Sequence, residues 1–489
     1  MSSLAGPGSQ IIAAPYLVSH LGKEAYGVLL LVNSIVAMSG LSSFGLGDAT
    51  VRYVAEYSAQ KRPDEIVKLL QTTLLVYLTL GTSTVLGLNL FAEYVVREFF
   101  NVSSGLRWEA VATLRLAATS LLLRLVYSVG ESLCRGLRRH DVESSTAVLG
   151  SFLSPLANCL LVFSGFGLSR VAFGGIAVLC LSNGILGWRA SKLLGTARWL
   201  IPAFRKDNFH KLISYGVFGW FQMVESVLMS QADRMVISSH LGAAAVTPYA
   251  LCVQLTQLSI GVVSQAFSYL FPMATELHVQ NRKADLRALF LDGMRLTTVA
   301  SFAIAALIFV YGQTVLFIWM GNSLGDYPHR MVLILATAAA ATGTTLVPCF
   351  LLNGAGYVRL NSIFAMSSAA AVFPASLVLV RFFGASGVAG ARLLNVFPGL
   401  IARIIIGRLL LDDRRILICF WHLFPTAGGL TLLWAAEEVL QVSSHVRDNP
   451  FVALGTVLAA IAATTILAVK IFKPSPPEIL PGEAIPAVA

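Results

Sequence analysis

An all-α polytopic membrane protein is what these 489 residues predict, on three observations. Apolar residues make up 56% of the chain and charged residues 12%, with a mean hydropathy of +0.74, more apolar surface than a soluble domain needs to fill its core. Apolar stretches of about 20 residues, the length that crosses roughly 30 Å of hydrocarbon, recur along the chain. The four residues SHLG also occur twice, at Ser19 to Gly22 and at Ser239 to Gly242.

The apolar stretches predict about 14 transmembrane helices, near 4–21, 25–45, 69–91, 110–130, 144–166, 171–188, 212–231, 246–271, 296–319, 331–352, 362–380, 388–407, 416–436 and 451–469. The first is short, holds Gly6, Pro7, Gly8 and Pro15, and lacks a basic lead-in. It is expected to be a poorly anchored span, or else the native start lies upstream of Met1.

The SHLG recurrence extends beyond four residues. At the same offset of 220 and without gaps, Ala25 falls on Ala245, Glu56 on Glu276, Gln60 on Gln280, Arg62 on Arg282, Glu65 on Asp285 and Leu69 on Leu289. The polar matches are those that composition explains least, so a duplicated unit is expected. Both copies leave an odd-numbered span and lead through an even-numbered one to a polar segment, which makes the repeat parallel, about an axis along the membrane normal. The expected architecture is two six-helix bundles in parallel pseudo-twofold repeat around a central cavity, plus two C-terminal helices. Residues 1–190 are then the first bundle, 191–211 a basic linker, 212–410 the second bundle, 411–473 the two additional helices and 474–489 a Pro-rich disordered tail. The linker carries Trp199 and Phe204 beside Arg198 and Arg205, so part of it is expected to lie flat on the inner leaflet.

Lys and Arg crowd alternate loops. Twenty-four stand on the side that holds Lys61, Arg62, Arg138, Arg139 and Arg205, against eight on the other, where Arg97, Arg107, Arg170 and Arg234 are assigned. This bias puts both termini in the cytoplasm of a multi-pass protein of the cell inner membrane. It also accounts for the net charge of +10 through cytoplasmic loops facing anionic membrane lipid, with no nucleic acid to invoke. The six cysteines form no CxxC pair and read as small buried hydrophobes.

Polar residues at helical spacing inside spans mark candidate wet faces. Span seven carries Gln222, Glu225, Ser230 and Asp233, and span eight Gln254, Gln257, Ser264 and Ser268. The two stripes suggest a water-filled cavity between the bundles, although amides and hydroxyls also bind helices to one another in membranes. In span four, Arg115 and Arg124 lie nine residues apart, about half a turn out of phase. Arg115, nearer the outside, can snorkel to the interface. The deeper Arg124 is the better cavity cation. Asp48 and Arg52, four apart at the end of span two, can pair along one face. Glu225, at mid-span, must pair or take a proton, which makes it a candidate coupling group for a proton or sodium ion, with a salt bridge to the other bundle as the alternative. No GxxxxGK[ST] precedes a helix and no loop is large enough for a catalytic constellation, so neither an ATPase nor an enzyme is expected, and no cofactor is implied.

The segments PYLVSHLGKEAYGVLLLVNSI, GLGDATVRYVAEY and DEIVKLL, and then ADRMVISSHLGAAAVTPYALC and LFPMATEL, resemble the two bundle signatures of polysaccharide flippases, the PST branch of the MOP exporter superfamily. Weaker similarity runs through VLFIWMGNS and LLNGAGYVRLNSIFA, so the resemblance covers most of 15–400. It implies two rocking bundles and a substrate class, oligosaccharide units on undecaprenyl pyrophosphate, moved from the cytoplasmic to the outer leaflet, with polysaccharide polymerase and glycosyltransferases as neighbours in the process. Arg52 and Asp48, and Asp233 and Arg234, match charged positions of the family motifs. The expected substrate-binding residues are therefore Arg52, Arg124, Arg234, Gln222, Gln254 and Gln257, and the expected coupling residues Glu225, Asp48 and Asp233. Two other readings stay open: a cation-coupled multidrug exporter of the related extrusion family, disfavoured by the lack of an acidic residue in the first span, and a membrane scaffold for glycan-assembly enzymes.

Overall fold

The computed structural model describes residues 2–165, 167–321, 329–355, 357–410 and 428, 429, 431, 432, 434 and 435, all but the turns between them helical. The expected thirteenth and fourteenth spans and the C-terminal tail lie almost wholly outside the described residues. Nine helical stretches among the described residues are long and apolar enough to cross a membrane.

The chain opens with α1 (Ser2–Leu21) and α2 (Lys23–Ser39), joined at Gly22. A left-handed pair, Phe44 and Gly45, then bends the chain into α3 (Leu46–Ala59). The helix α4 (Pro63–Val95) starts earlier than its apolar stretch because Pro63 and the acidic first turn, Asp64 and Glu65, suit a helix N-terminus. Next come α5 (Ser104–Gly136), α6 (His140–Phe163) and α7 (Leu168–Leu194). After the connection follow α8 (Lys206–Val227), a π turn at Leu228–Ala232, and α9 (Asp233–Leu241). Helices α10 (Ala243–Ala266), α11 (Leu270–Val279) and α12 (Lys283–Met320) lead to α13 (His329–Gly343) and α14 (Leu346–Gly354). Finally α15 (Val358–Ala391) is broken at Gly384 (φ 60°, ψ −142°) and is followed by α16 (Val396–Leu410).

The two SHLG segments share their local geometry in detail. Gly22 has φ 83° and ψ 164°, and Gly242 φ 86° and ψ 165°, a region that residues with a Cβ rarely enter. In each copy the histidine Nδ1 lies on the carbonyl four residues back, His20 on Tyr16 at 2.9 Å and His240 on Val236 at 3.0 Å, with the serine hydroxyl beside it. At the far ends of the paired helices, Lys61 and Asn281 both take φ 56°, and Gln60 and Gln280 both reach back to a glutamate, Glu56 and Glu276.

The apolar core is joined at one end and divided at the other. Near the Gly22 and Gly242 turns, a single cluster runs from Leu31 and Leu114 to Ile237, Tyr249 and Leu316. Toward Lys61 and Asn281 it separates into one cluster around Leu69, Tyr77 and Trp199, which also takes in Leu212 of α8, and another around Phe290, Val347 and Leu351; α3 and α8 meet there with Gly45 against the Gly216 carbonyl. Where it is joined, α2 crosses α10 backbone to backbone. A Cβ on Gly27 would collide with the Ala243 carbonyl, and Thr247 Oγ1 donates to the Lys23 carbonyl at 2.7 Å. Glycine is required there because nothing larger lets the two helices meet.

The basic connection differs from expectation. Trp199 is only 2% exposed and packs in the cluster with Tyr77 and Leu133, its Nε1 donating to Ser191 Oγ at 3.0 Å. Gln71 Nε2 of α4 holds the Arg198 carbonyl at 2.8 Å. Phe204 remains exposed. A tryptophan beside arginines reads as an interfacial anchor from sequence, but here its ring packs beside Gly130 of α5 among Tyr77 and Leu133, and Ser191 of α7 accepts from its N–H. Among the cysteines, Cys134 and Cys252 are buried as expected, whereas Cys180 is exposed, and Cys419 lies outside the described residues.

Candidate functional site

The charged residues expected to line a cavity fall into three groups. The first lies on α3. Asp48 and Arg52 are exposed, and the Arg52 guanidinium lies over the Tyr53 ring, 5.6 Å from its centre.

The second group lies on α5. Arg115 Nη2 is paired with Glu93 Oε1 of α4 at 3.1 Å, both partly exposed, so its charge is already answered by a neighbouring helix. Arg124 is exposed and makes no ion pair among the described residues. On its face of α5, Ser128, Glu131 and Arg135 follow at helical spacing, and Arg135 is held by Glu131 at 2.5 Å and by Glu143 of α6 at 2.8 Å. Of the cations in this stripe, Arg124 is the one left unneutralised.

The third group lies on α8 to α10. Arg234, assigned from sequence to an outer loop, stands inside a helix that runs on to Leu241. The run of Ser230, Gln231, Asp233 and Arg234 lowers the local hydropathy enough to resemble a loop, but the helix continues because its charges find partners inside the protein. Asp233, expected as a coupling residue, is buried: its Oδ2 accepts from Arg392 Nε at 2.6 Å and from the Tyr249 hydroxyl at 2.5 Å. Arg234 Nη1 reaches Ser34 Oγ of α2 at 3.5 Å and Gln231 Oε1 at 3.4 Å. Glu225 is half-buried on α8, and no hydrogen bond or ion pair involves its carboxylate among the described residues. Gln254 is half-buried and Gln257 exposed on α10; Gln222 lies on α8, its side chain outside what is described.

Residues 18–327 match the family described as polysaccharide biosynthesis protein. The chain belongs to that family. It is similar to a protein assigned as an O-antigen transporter in Salmonella typhi, with 22% identity over 345 residues, 68% of this chain and 73% of the relative. In fold it is similar to the lipid II flippase MurJ in an inward closed conformation, with a TM-score of 0.71 at 13% identity over 96% of each chain. It is similar also to an inward-facing multidrug resistance MATE transporter of the MOP superfamily, with a TM-score of 0.70 at 15% identity over 86% of this chain and 98% of the other. The chain is thus a multi-pass membrane protein of a polysaccharide-biosynthesis family, with the fold of these transporters.

Sequence reasoning missed Arg392 and Tyr249 as partners of Asp233, and Ser34 and Tyr26 as neighbours of Arg234. Arg392 stands 159 residues from Asp233 and no local spacing connects them. The one available signal was Arg392 itself, a charge inside an apolar span, which has to be paired or functional.

Proposed function

We propose that the protein is a flippase that moves oligosaccharide units linked to undecaprenyl pyrophosphate from the cytoplasmic to the outer leaflet of the cell inner membrane, for surface polysaccharide export. It works by alternating access between two six-helix bundles in parallel pseudo-twofold repeat, with both termini cytoplasmic and the two further helices outside the repeat. The continuous core at the Gly22 and Gly242 end, which is the outside by the distribution of Lys and Arg, supports a state closed on that side; toward the cytoplasm α8 also packs on α3, where Gly45 and Gly216 meet backbone to backbone. Arg52, Arg124 and Arg234 receive the pyrophosphate, and Gln222, Gln254 and Gln257 the glycan.

The observation that carries this reading is the guanidinium of Arg124, which makes no ion pair among the described residues although Arg115 and Arg135 on the same helix do. A lone arginine at such a depth costs about 2.5–3.5 kcal/mol on insertion scales and is retained where an anion is its partner for part of the cycle. Diphosphate is the strong candidate because charge-assisted, bidentate bonds to phosphate oxygens offset desolvation best. For coupling, Glu225 is the proposed proton or sodium site: it is half-buried and has no partner among the described residues, whereas Asp233 is held by Arg392 and Asp48 is exposed.

Inverted membrane vesicles carrying the full chain test the reading. Uptake of a lipid-linked oligosaccharide into a glycosidase-protected leaflet supports it. Export of a cationic drug without that movement supports the multidrug alternative, and neither activity supports a scaffold.

A further inference from the structure

Two guanidinium groups and one carboxylate meet where α9, α10 and the start of the last described helical run cross. Asp233 gives one oxygen to both Arg392 Nε and the Tyr249 hydroxyl, and is 4% exposed. Arg392 Nη2 donates to the Met229 carbonyl at 3.1 Å, inside the π turn that interrupts the helix ladder. Both bonds to Asp233 fall on its Oδ2. Arg234, the next residue, has only neutral contacts, to Ser34 Oγ at 3.5 Å and Gln231 Oε1 at 3.4 Å, both long, and no carboxylate lies within salt-bridge distance among the described residues. One positive charge is left over. It sits eight residues inside the Gly242 turn, roughly 12 Å along the helix, in the seam with α2.

Asp233 is inaccessible, but Arg234 is partly exposed, so a ligand can reach the second and not the first. The repeat does not demand the arrangement. At the matching positions of the first copy stand Ala13, Ala14 and Leu29, all buried and apolar. Adjacent residues of a helix point about 100° apart, so Asp233 and Arg234 do not face each other, but a buried carboxylate so near still acts on the cation through its field; here Arg392 cancels that charge.

We propose that Arg392 and Tyr249 are positioning residues that sequester Asp233, and so leave Arg234 as an anion-binding group in the seam between the halves, for one phosphate of a diphosphate. This rests on the flippase reading for its substrate, but the charge logic is independent of transport. Tyr249 donates its hydroxyl proton to the carboxylate and fixes its rotamer, while Arg392 supplies the neutralising charge.

The test is the affinity of the full chain in nanodiscs for undecaprenyl pyrophosphate and, separately, for inorganic pyrophosphate. Arg234→Gln should weaken binding about tenfold or more, the loss of one charge-assisted hydrogen bond. Arg392→Gln leaves the charge of Asp233 uncancelled beside Arg234 and should weaken binding by a similar factor. The double variant Asp233→Asn with Arg392→Gln removes the carboxylate as well and should return affinity to within about threefold of the parent, a restoration that a merely structural role for Arg392 does not give. Arg392→Lys should stay near the parent, and Asp233→Asn alone should bind as tightly or more tightly. Should Arg392→Gln fail to fold, the last two variants decide: weaker binding by folded Asp233→Asn overturns the proposal. So does a double variant no better than Arg392→Gln, or a parent that binds neither probe. If both probes follow the expected order, the phosphates are the ligand; if only the lipid-borne diphosphate does, the carrier is the source. Translocation that persists while this order is absent sinks the inference and leaves the flippase reading, and the order without translocation does the reverse.

Discussion

Thr247 Oγ1 donates to the Lys23 carbonyl across the seam between α2 and α10, while Gly27, which the offset of 220 maps onto Thr247, lies against the Ala243 carbonyl, which the same offset maps from Lys23. Each helix thus offers one of two matching positions to the other's first turn, the reciprocity of a twofold contact. This seam has to part if the protein is to open on that side, and it is held by close backbone approach instead of by long side chains.

Gly27→Leu should therefore be among the most damaging glycine substitutions in the chain. Its side chain would meet the Ala243 backbone, which cannot yield as a flexible side chain can, and overpacking of this kind costs about 1–3 kcal/mol. Gly175→Leu, with nothing within 4 Å of a Cβ, is the control and should leave stability nearly unchanged. Thermal denaturation of the two purified variants in the same detergent checks this. Equal melting temperatures would show that the seam is loose.

Trp199→Ala should lower stability by about 3–5 kcal/mol, the range for emptying a buried tryptophan site. Trp199→Phe keeps most of the ring and loses the bond to Ser191, so the loss should fall to about 1–2 kcal/mol. An unchanged melting temperature for Trp199→Ala would return the connection to the membrane surface.

Arg124→Gln should reduce translocation about tenfold or more at matched abundance, and Arg115→Gln by less than about threefold, because Glu93 already neutralises Arg115. Lys at 124 should recover part of the activity, since it keeps the charge and loses the planar fork. Comparable losses for Arg115→Gln and Arg124→Gln would remove the basis for choosing between them.

Glu225→Gln keeps the shape of the side chain and removes its titration. Translocation in proteoliposomes should lose its response to an imposed pH gradient while binding of lipid-linked oligosaccharide persists. A variant that follows the gradient as the parent does would exclude Glu225 from coupling and shift attention to Asp48, since Asp233 is bound by Arg392.

Local chemistry in this chain was legible from the sequence, and long-range pairing was not. The recurrence of SHLG pointed to Gly22 and Gly242, and both take the same positive-φ turn, because a helix stop of that shape has a strict residue requirement. The phase difference between Arg115 and Arg124 also followed from helix geometry alone. By contrast, Asp233 with Arg392, and Trp199 inside the first half, depend on contacts formed by distant segments, and a hydropathy window reads both as surface.

The most direct test of the account uses purified protein in proteoliposomes loaded with a fluorescent oligosaccharide on undecaprenyl pyrophosphate, with a membrane-impermeant quencher reporting the leaflet. The parent should move the label between leaflets well above protein-free liposomes, and Arg124→Gln with Arg234→Gln together should bring the rate close to that background. Movement no faster than in protein-free liposomes, or movement that the double substitution leaves intact, would contradict it.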